Sequence, residues 1–165
     1  MAETATAVSA GYKSVPMGTG PLGFALDANG GERLVFGDVT LLIRASAEKT
    51  GGAFTVIEEV PPMVDTPLHV HAKEDEMFYV LEGEHIVQCA DQEFHLGPGG
   101  VVFLPRGIPH SQRRVVPGRG RLLVLTSPAG LEGFFRELAE AEHTGTLGPD
   151  AYAAASERYG ITWLD

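Results

Sequence analysis

Apolar residues in this chain fall in short runs separated by turn residues. Glu32 to Phe36, Val39 to Ala45 (VTLLIRA), Phe54 to Val60, Met77 to Glu82 (MFYVLE), Glu84 to Cys89, Gln92 to Leu96, Val101 to Leu104, His110 to Val116 and Arg121 to Thr126 each read as a β-strand. Val15 to Leu26 reads as an irregular edge strand. Between the runs lie Asn29-Gly30-Gly31, Gly37-Asp38, Thr50-Gly51-Gly52, Ala90-Asp91, Gly97-Pro98-Gly99-Gly100 and Pro117-Gly118. Gly83 separates two runs that read as hairpin partners, and Pro61-Pro62 and Pro67 bracket a loop that delivers the chain to His69. Short strands at this spacing predict an all-β protein, a closed antiparallel barrel or jelly roll.

The pattern changes after Thr126. Ser127-Pro128 predicts a helix N-cap with proline at the first helical position. Leu131, Phe134, Phe135 and Leu138 then recur at i, i+3, i+4 and i+7, which predicts an amphipathic helix laid on the barrel as core cover or over its mouth. A second helix is expected from Pro149 to Tyr159, stopped by Gly160. Residues 127–160 are thus a helical C-terminal segment and residues 1–10 a small, polar, flexible tail. Nothing between them reads as a repeat or a linker, so residues 1–165 are taken as one domain.

Composition narrows the function. The 21 glycines and 11 prolines fit many turns rather than long helices. A formal net charge of −10 without a basic cluster argues against a nucleic-acid partner. No apolar stretch approaches the roughly 18 residues of a membrane span, and the N-terminus lacks the basic head and apolar run of a signal peptide, so a cytoplasmic location is expected. Cys89 is the only cysteine, which excludes an internal disulfide; it reads as a packing residue.

The chemistry concentrates in PLHVHAKEDEMFYVLEG, Pro67 to Gly83. On a strand His69 and His71 leave the same face, and two imidazoles so placed can chelate one metal ion. Further on, GGVVFLPRGIPHSQRR carries His110 just after a proline-glycine turn. Together the two stretches resemble the cupin family. Its first motif, G-x5-H-x-H-x3-4-E-x6-G, is matched by His69, His71, Glu76 and Gly83; its second, G-x5-P-x-G-x2-H-x3-N, by Gly99, Pro105, Gly107 and His110. The leading glycine of the first falls on Met63 and the trailing asparagine of the second on Arg114, and neither is a metal-ligand position.

The resemblance implies a cupin barrel with His69, His71, Glu76 and His110 as ligands of one divalent transition metal. This donor set accepts Fe, Mn, Ni, Co, Cu or Zn, so the sequence leaves the metal open. Four protein ligands leave coordination positions free on an octahedral ion, as catalytic sites do. The motif spacing and strand alternation select Glu76, on the face of Phe78 and Val80, over Asp75 and Glu74, which read as solvated. His85, His95 and His143 read as surface or partly buried residues. Phe54, Phe78, Val80 and Phe103 are candidates for an apolar lining suited to an aromatic small molecule.

HAKEDEMFYVLEGE, FLPRGIPHS and LLVLTSPAGLEGFFREL narrow the likeness to single-barrel bacterial cupins related to quercetin 2,3-dioxygenase. That resemblance implies O2-dependent opening of a flavonol ring with release of carbon monoxide, with Glu76 as catalytic base for the flavonol hydroxyl. It also implies a homodimer, for which the Gly-rich segment before Glu32 could cross to a partner's sheet. A metal-dependent cyclase or isomerase, and a small-molecule binder without turnover, would use the same ligands.

Overall fold

The structure, a computed structural model, describes residues 20–62 and 64–164; the expected N-terminal tail and the start of the expected edge strand lie outside them. The described residues form β1 (Glu32–Phe36), β2 (Val39–Ala45), α1 (Ala47–Thr50), β3 (Thr55–Glu59), β4 (Thr66–His71), β5 (Asp75–Glu82), β6 (His85–Cys89), β7 (Gln92–Leu96), β8 (Val101–Leu104), β9 (His110–Arg114), β10 (Arg121–Ser127), α2 (Glu132–His143), α3 (Pro149–Tyr159) and β11 (Ile161–Trp163). Two antiparallel sheets face each other, one ordered β1-β2-β3-β10-β5-β8 and the other β11-β4-β9-β6-β7. Alternate residues of both sheets point into a shared core that includes Ile57, Val80, Val87, Leu104 and Leu122, each almost wholly buried. The architecture is the all-β jelly roll with C-terminal helices that the sequence pattern predicts.

Several local expectations are corrected. β5 and β6 are not hairpin partners: β5 pairs with β10 and β8, whereas β6 pairs with β7 and β9 in the opposite sheet. Gly83 marks the corner where the chain changes sheets. Its φ is +82°, and a Cβ there would lie 3.0 Å from the Cα of Gly120, so a side chain would meet both strain and backbone. Residues 20–26 form no strand, and Arg44 of the same chain holds the next turn through the carbonyls of Asp27, Ala28 and Gly30.

The first long helix starts at Glu132 rather than behind Ser127-Pro128, because pairing of Ser127 with Asp75 extends β10 through the local capping signal. What anchors this helix is the buried carboxylate of Glu132, which accepts from the backbone N–H groups of Ala47 and Gly130 and from the hydroxyl of Thr55. One side chain thereby ties α1, β3 and α2 together. The one-turn α1 and the three-residue β11 are too short to carry a periodic signal. β11 nevertheless covers the edge of β4, setting Ile161 against His71 and Trp163 against His69.

Glu132→Ala should lower unfolding free energy by about 3 kcal/mol, since it strands buried donors. Urea denaturation measures this, and a loss below about 0.5 kcal/mol, the scale of a surface substitution, would refute the anchoring role.

Candidate metal centre

β4 and β9 are neighbours, and their register sets His69 against His110. Alternation sends His71 to the same face as His69. Glu76 comes from β5 in the opposite sheet, next to Leu104 on one side and Thr126 on the other. The Gly107 turn before β9 is tied to β4 by its N–H, which donates to the His71 carbonyl at 2.8 Å; its φ of +76° favours glycine. Two sheets thus bring His69, His71, Glu76 and His110 together, all buried, with one donor atom from each lying within 4.8 Å of the others.

The hydrogen bonds orient these donors. His69 Nδ1–H donates to the Pro67 carbonyl at 2.8 Å and His110 Nδ1–H to the Ile108 carbonyl at 2.9 Å. Both rings therefore turn a bare Nε2 lone pair inward. The Nε2 atoms of His69 and His71 are 3.0 Å apart, and His110 Nε2 is 3.1 Å from Glu76 Oε2. The outer nitrogen of His71 faces the buried carboxylate of Glu74 at 3.6 Å, which favours a proton on that nitrogen as well. Acceptors this close repel unless positive charge lies among them. Two donors each about 2.1 Å from one cation and at right angles stand about 3 Å apart. Three imidazole nitrogens and a carboxylate oxygen suit a divalent first-row metal, so these residues fit such an ion.

The electrostatics agree. Burial, then the neighbouring His110 and His71, hold His69 down to about 4. Burial would lower His71 too, but Glu74 and Glu76 outweigh it and raise its pKa. Burial pushes Glu76 up, yet His110 beside it and the other nearby imidazoles bring it below the ordinary value. The cluster draws positive charge to His71 and keeps Glu76 ionised.

The cluster opens onto a cavity of about 470 Å³. Its wall is mostly apolar and includes Phe78, Leu131, Phe134, Phe135 and Leu138, so the predicted helix face lines the cavity. Of the four expected lining residues only Phe78 faces it: Phe103 is 60% exposed, because alternation on β8 turns Val102 and Leu104 inward, and Phe54 lies ahead of β3 and is 39% exposed. Val80 is buried in the core rather than on the cavity wall. His85 is buried away from the cluster, with its Nε2 near the Glu82 carbonyl, while His95 pairs with Glu93 at the surface.

Three residues escaped the sequence reading. Glu74 is 3% exposed rather than solvated; the chain bends after His71, so strand alternation misplaces it. Trp163, the single tryptophan, lies against His69 with ring centroids 5.1 Å apart. Glu59 lines the cavity at the end of the inward series Thr55, Ile57, Glu59, and that alternation was the available signal.

Residues 56–126 match the family described as Cupin domain. The chain is also 31% identical over 122 residues to quercetin 2,3-dioxygenase of Bacillus subtilis (strain 168), a match covering 73% of this chain and 36% of that protein. The chain is cupin-like in sequence and fold. It spans about a third of the length of that relative. Among known structures, the chain resembles KdgF from Halomonas sp. with a TM-score of 0.56 at 18% identity, over 67% of this chain and 99% of that one. It resembles the Schizosaccharomyces pombe Cnp3 cupin domain with a TM-score of 0.51 at 19% identity, over 70% and 80% of the two chains. At such identities these likenesses concern the fold alone. The departure from the second cupin motif also has a structural role. Arg114 is buried and pairs with Asp65 at 2.6 Å, tying β9 to the loop before β4.

Glu59 gives a pH signature. Burial first, then the charge of Glu76, raise its carboxyl to about 7, with Arg114 opposing. The folded state therefore binds more protons here than the unfolded state between about 4.5 and 7. The contribution is fully present below the lower value and lost as pH rises through the upper one. The melting-temperature advantage of Glu59→Gln over wild type should widen across that window. A difference that stays constant with pH would contradict the raised carboxyl.

Proposed function

We propose that His69, His71, Glu76 and His110 hold one divalent transition metal, and that the protein is a dioxygenase acting with O2 on a flavonol or related polyphenol. The observation that carries this reading is the convergence of four buried donor atoms, with His69, His71 and Glu76 of the four lining a largely apolar cavity. The cavity volume of about 470 Å³ suits a small aromatic molecule. The 31% identity to a quercetin 2,3-dioxygenase supports the choice of substrate class. When bound, a divalent metal supplies Lewis acidity that makes a coordinated hydroxyl a better acid and, if redox-active, a means of engaging O2.

This chain's own residues supply the rest. The apolar wall receives the aromatic rings and excludes water. Trp163 keeps the His69 ring in place from the β11 side. Glu76 is the nearest carboxylate to the imidazole cluster, with Oε2 3.1 Å from His110 Nε2 and Oε1 4.0 Å from His71 Nε2. One oxygen can stay with the cluster while the other takes the substrate hydroxyl proton, which makes Glu76 the catalytic base.

The reaction is tested by oxygen uptake on a panel of flavonols, enediols and catechols with Fe, Mn, Co, Ni and Cu each loaded. Uptake with flavonols is expected. No uptake with any pair would reject it, and turnover without oxygen would favour a cyclase or isomerase on the same ligands.

His69→Ala, His71→Ala and His110→Ala should each lose most of the bound metal, while His85→Ala keeps it. Elemental analysis decides this, and equal metal content in all four variants would refute the ligand set. Glu76→Gln retains the side-chain shape without its basicity, and metal-loaded protein should lose at least about 100-fold in turnover. Asp75→Asn is the control, because Asp75 points to Arg106, 2.8 Å away, and should stay near wild type. Normal turnover in Glu76→Gln would end the base assignment.

A further inference from the structure

Glu59 is a carboxylate in the cavity wall that the proposed chemistry does not use. It closes β3, opposite Leu41 on one side and Leu122 on the other, so its strand neighbours offer it no counter-charge. Its Oε2 accepts a hydrogen bond from Gln112 Nε2 at 3.1 Å. Its Oε1 has no hydrogen-bond partner among the described residues. Gln112 is 2% exposed and is the next inward-facing residue after His110 on β9. That spacing sets the Glu59 contact about 7 Å along the strand from the His110 position.

The surroundings are polar beyond what packing requires. Gln112 Oε1 and two guanidinium nitrogens of Arg114 are buried without partners. A carboxylate kept at a largely apolar cavity without a contacting cation is costly for folding. The cost is greatest for the ionised form, and the carboxyl responds by holding its proton up to about 7. An unpaired acceptor here is most simply satisfied by a donor on whatever fills the cavity. The other acidic side chain on this part of the wall, Asp65, is already taken by Arg114.

We propose that Glu59 is a second polar anchor of the cavity, whose free carboxyl oxygen accepts a hydrogen bond from a hydroxyl on the end of the bound aromatic molecule remote from the four-residue cluster. The cluster takes one hydroxyl and Glu59 another, so the cavity selects molecules hydroxylated at both ends and fixes which end faces the cluster. Glu59 is a specificity-determining residue, held in place by Gln112. The inference rests on the proposed function only in placing an aromatic hydroxyl compound in this cavity.

The test uses paired probes that differ by one hydroxyl, 2-naphthol against 2,6- and 2,7-dihydroxynaphthalene. They are titrated calorimetrically, at a pH above the raised value of Glu59 so that its carboxyl is ionised, into the full chain loaded with Zn, which does not turn over by redox chemistry. At least one diol should bind at least about tenfold more tightly than 2-naphthol, the scale of a hydrogen bond to a charged group. In Glu59→Leu the preference should collapse to about one, with 2-naphthol affinity within about twofold of wild type. Glu59→Gln keeps a hydrogen-bonding partner for Gln112 and so preserves the wall, and should cut the preference at least about threefold. No diol preference in wild type, absence of diol binding, or a preference retained in both variants would overturn the anchor. Absence of oxygen uptake with flavonols, alongside a Glu59-dependent diol preference, would reject the reaction and leave the anchor standing.

Discussion

Four acceptor atoms facing one another inside a protein repel unless a donor or a positive charge lies among them. His69, His71 and His110 turn lone pairs toward Glu76 across the space between two sheets, and all four side chains are at least about nine-tenths buried. Removing such groups from water is unfavourable unless something compensates. The local hydrogen bonds of His69 and His110 to carbonyls two residues upstream increase the demand, because they commit the outer nitrogens and leave the inner ones bare. Positive charge at the focus resolves it, and a divalent ion does so with donors of the kind and spacing found here.

The rest of the fold serves that convergence. Antiparallel pairing of β4 with β9 fixes the imidazoles relative to one another, while β5, in the facing sheet, delivers the carboxylate. The two sheets must therefore stay in register for the site to exist. Glu132 clamps α1, β3 and α2 together, and β11 closes the edge of β4. The helix that would otherwise be plain core cover gives one side to the cavity, so packing and binding share the same apolar stripe.

Much of this was legible in the sequence, and the exceptions have physical causes. Strand alternation put His69 and His71 on one face, and the resemblance to the two cupin motifs added Glu76 and His110 to them. The same rule misplaced Glu74, since the strand ends at His71 and alternation ends with it. Gly83 looked like a hairpin turn and is a corner between sheets, a distinction that depends on partners distant in sequence. Ser127-Pro128 looked like a helix start and was overridden by pairing with β5. β11 was invisible because three residues carry no period. Glu59 was within reach, being the third inward position of β3, but a lone acidic residue at a strand end reads as solvated until the cavity beside it is known.

The central claim is that the four-residue cluster is a binding site for a single divalent cation and is stabilised by it. Calorimetric titration of metal-stripped full-length protein with Mn, Fe, Co, Ni, Cu and Zn, with thermal unfolding followed on the same samples, tests it most directly. At least one metal should bind with one equivalent per chain and raise the melting temperature in step with occupancy, as linkage requires of a ligand that binds only the folded state. Absence of binding heat and an unchanged melting temperature across all six metals would contradict it.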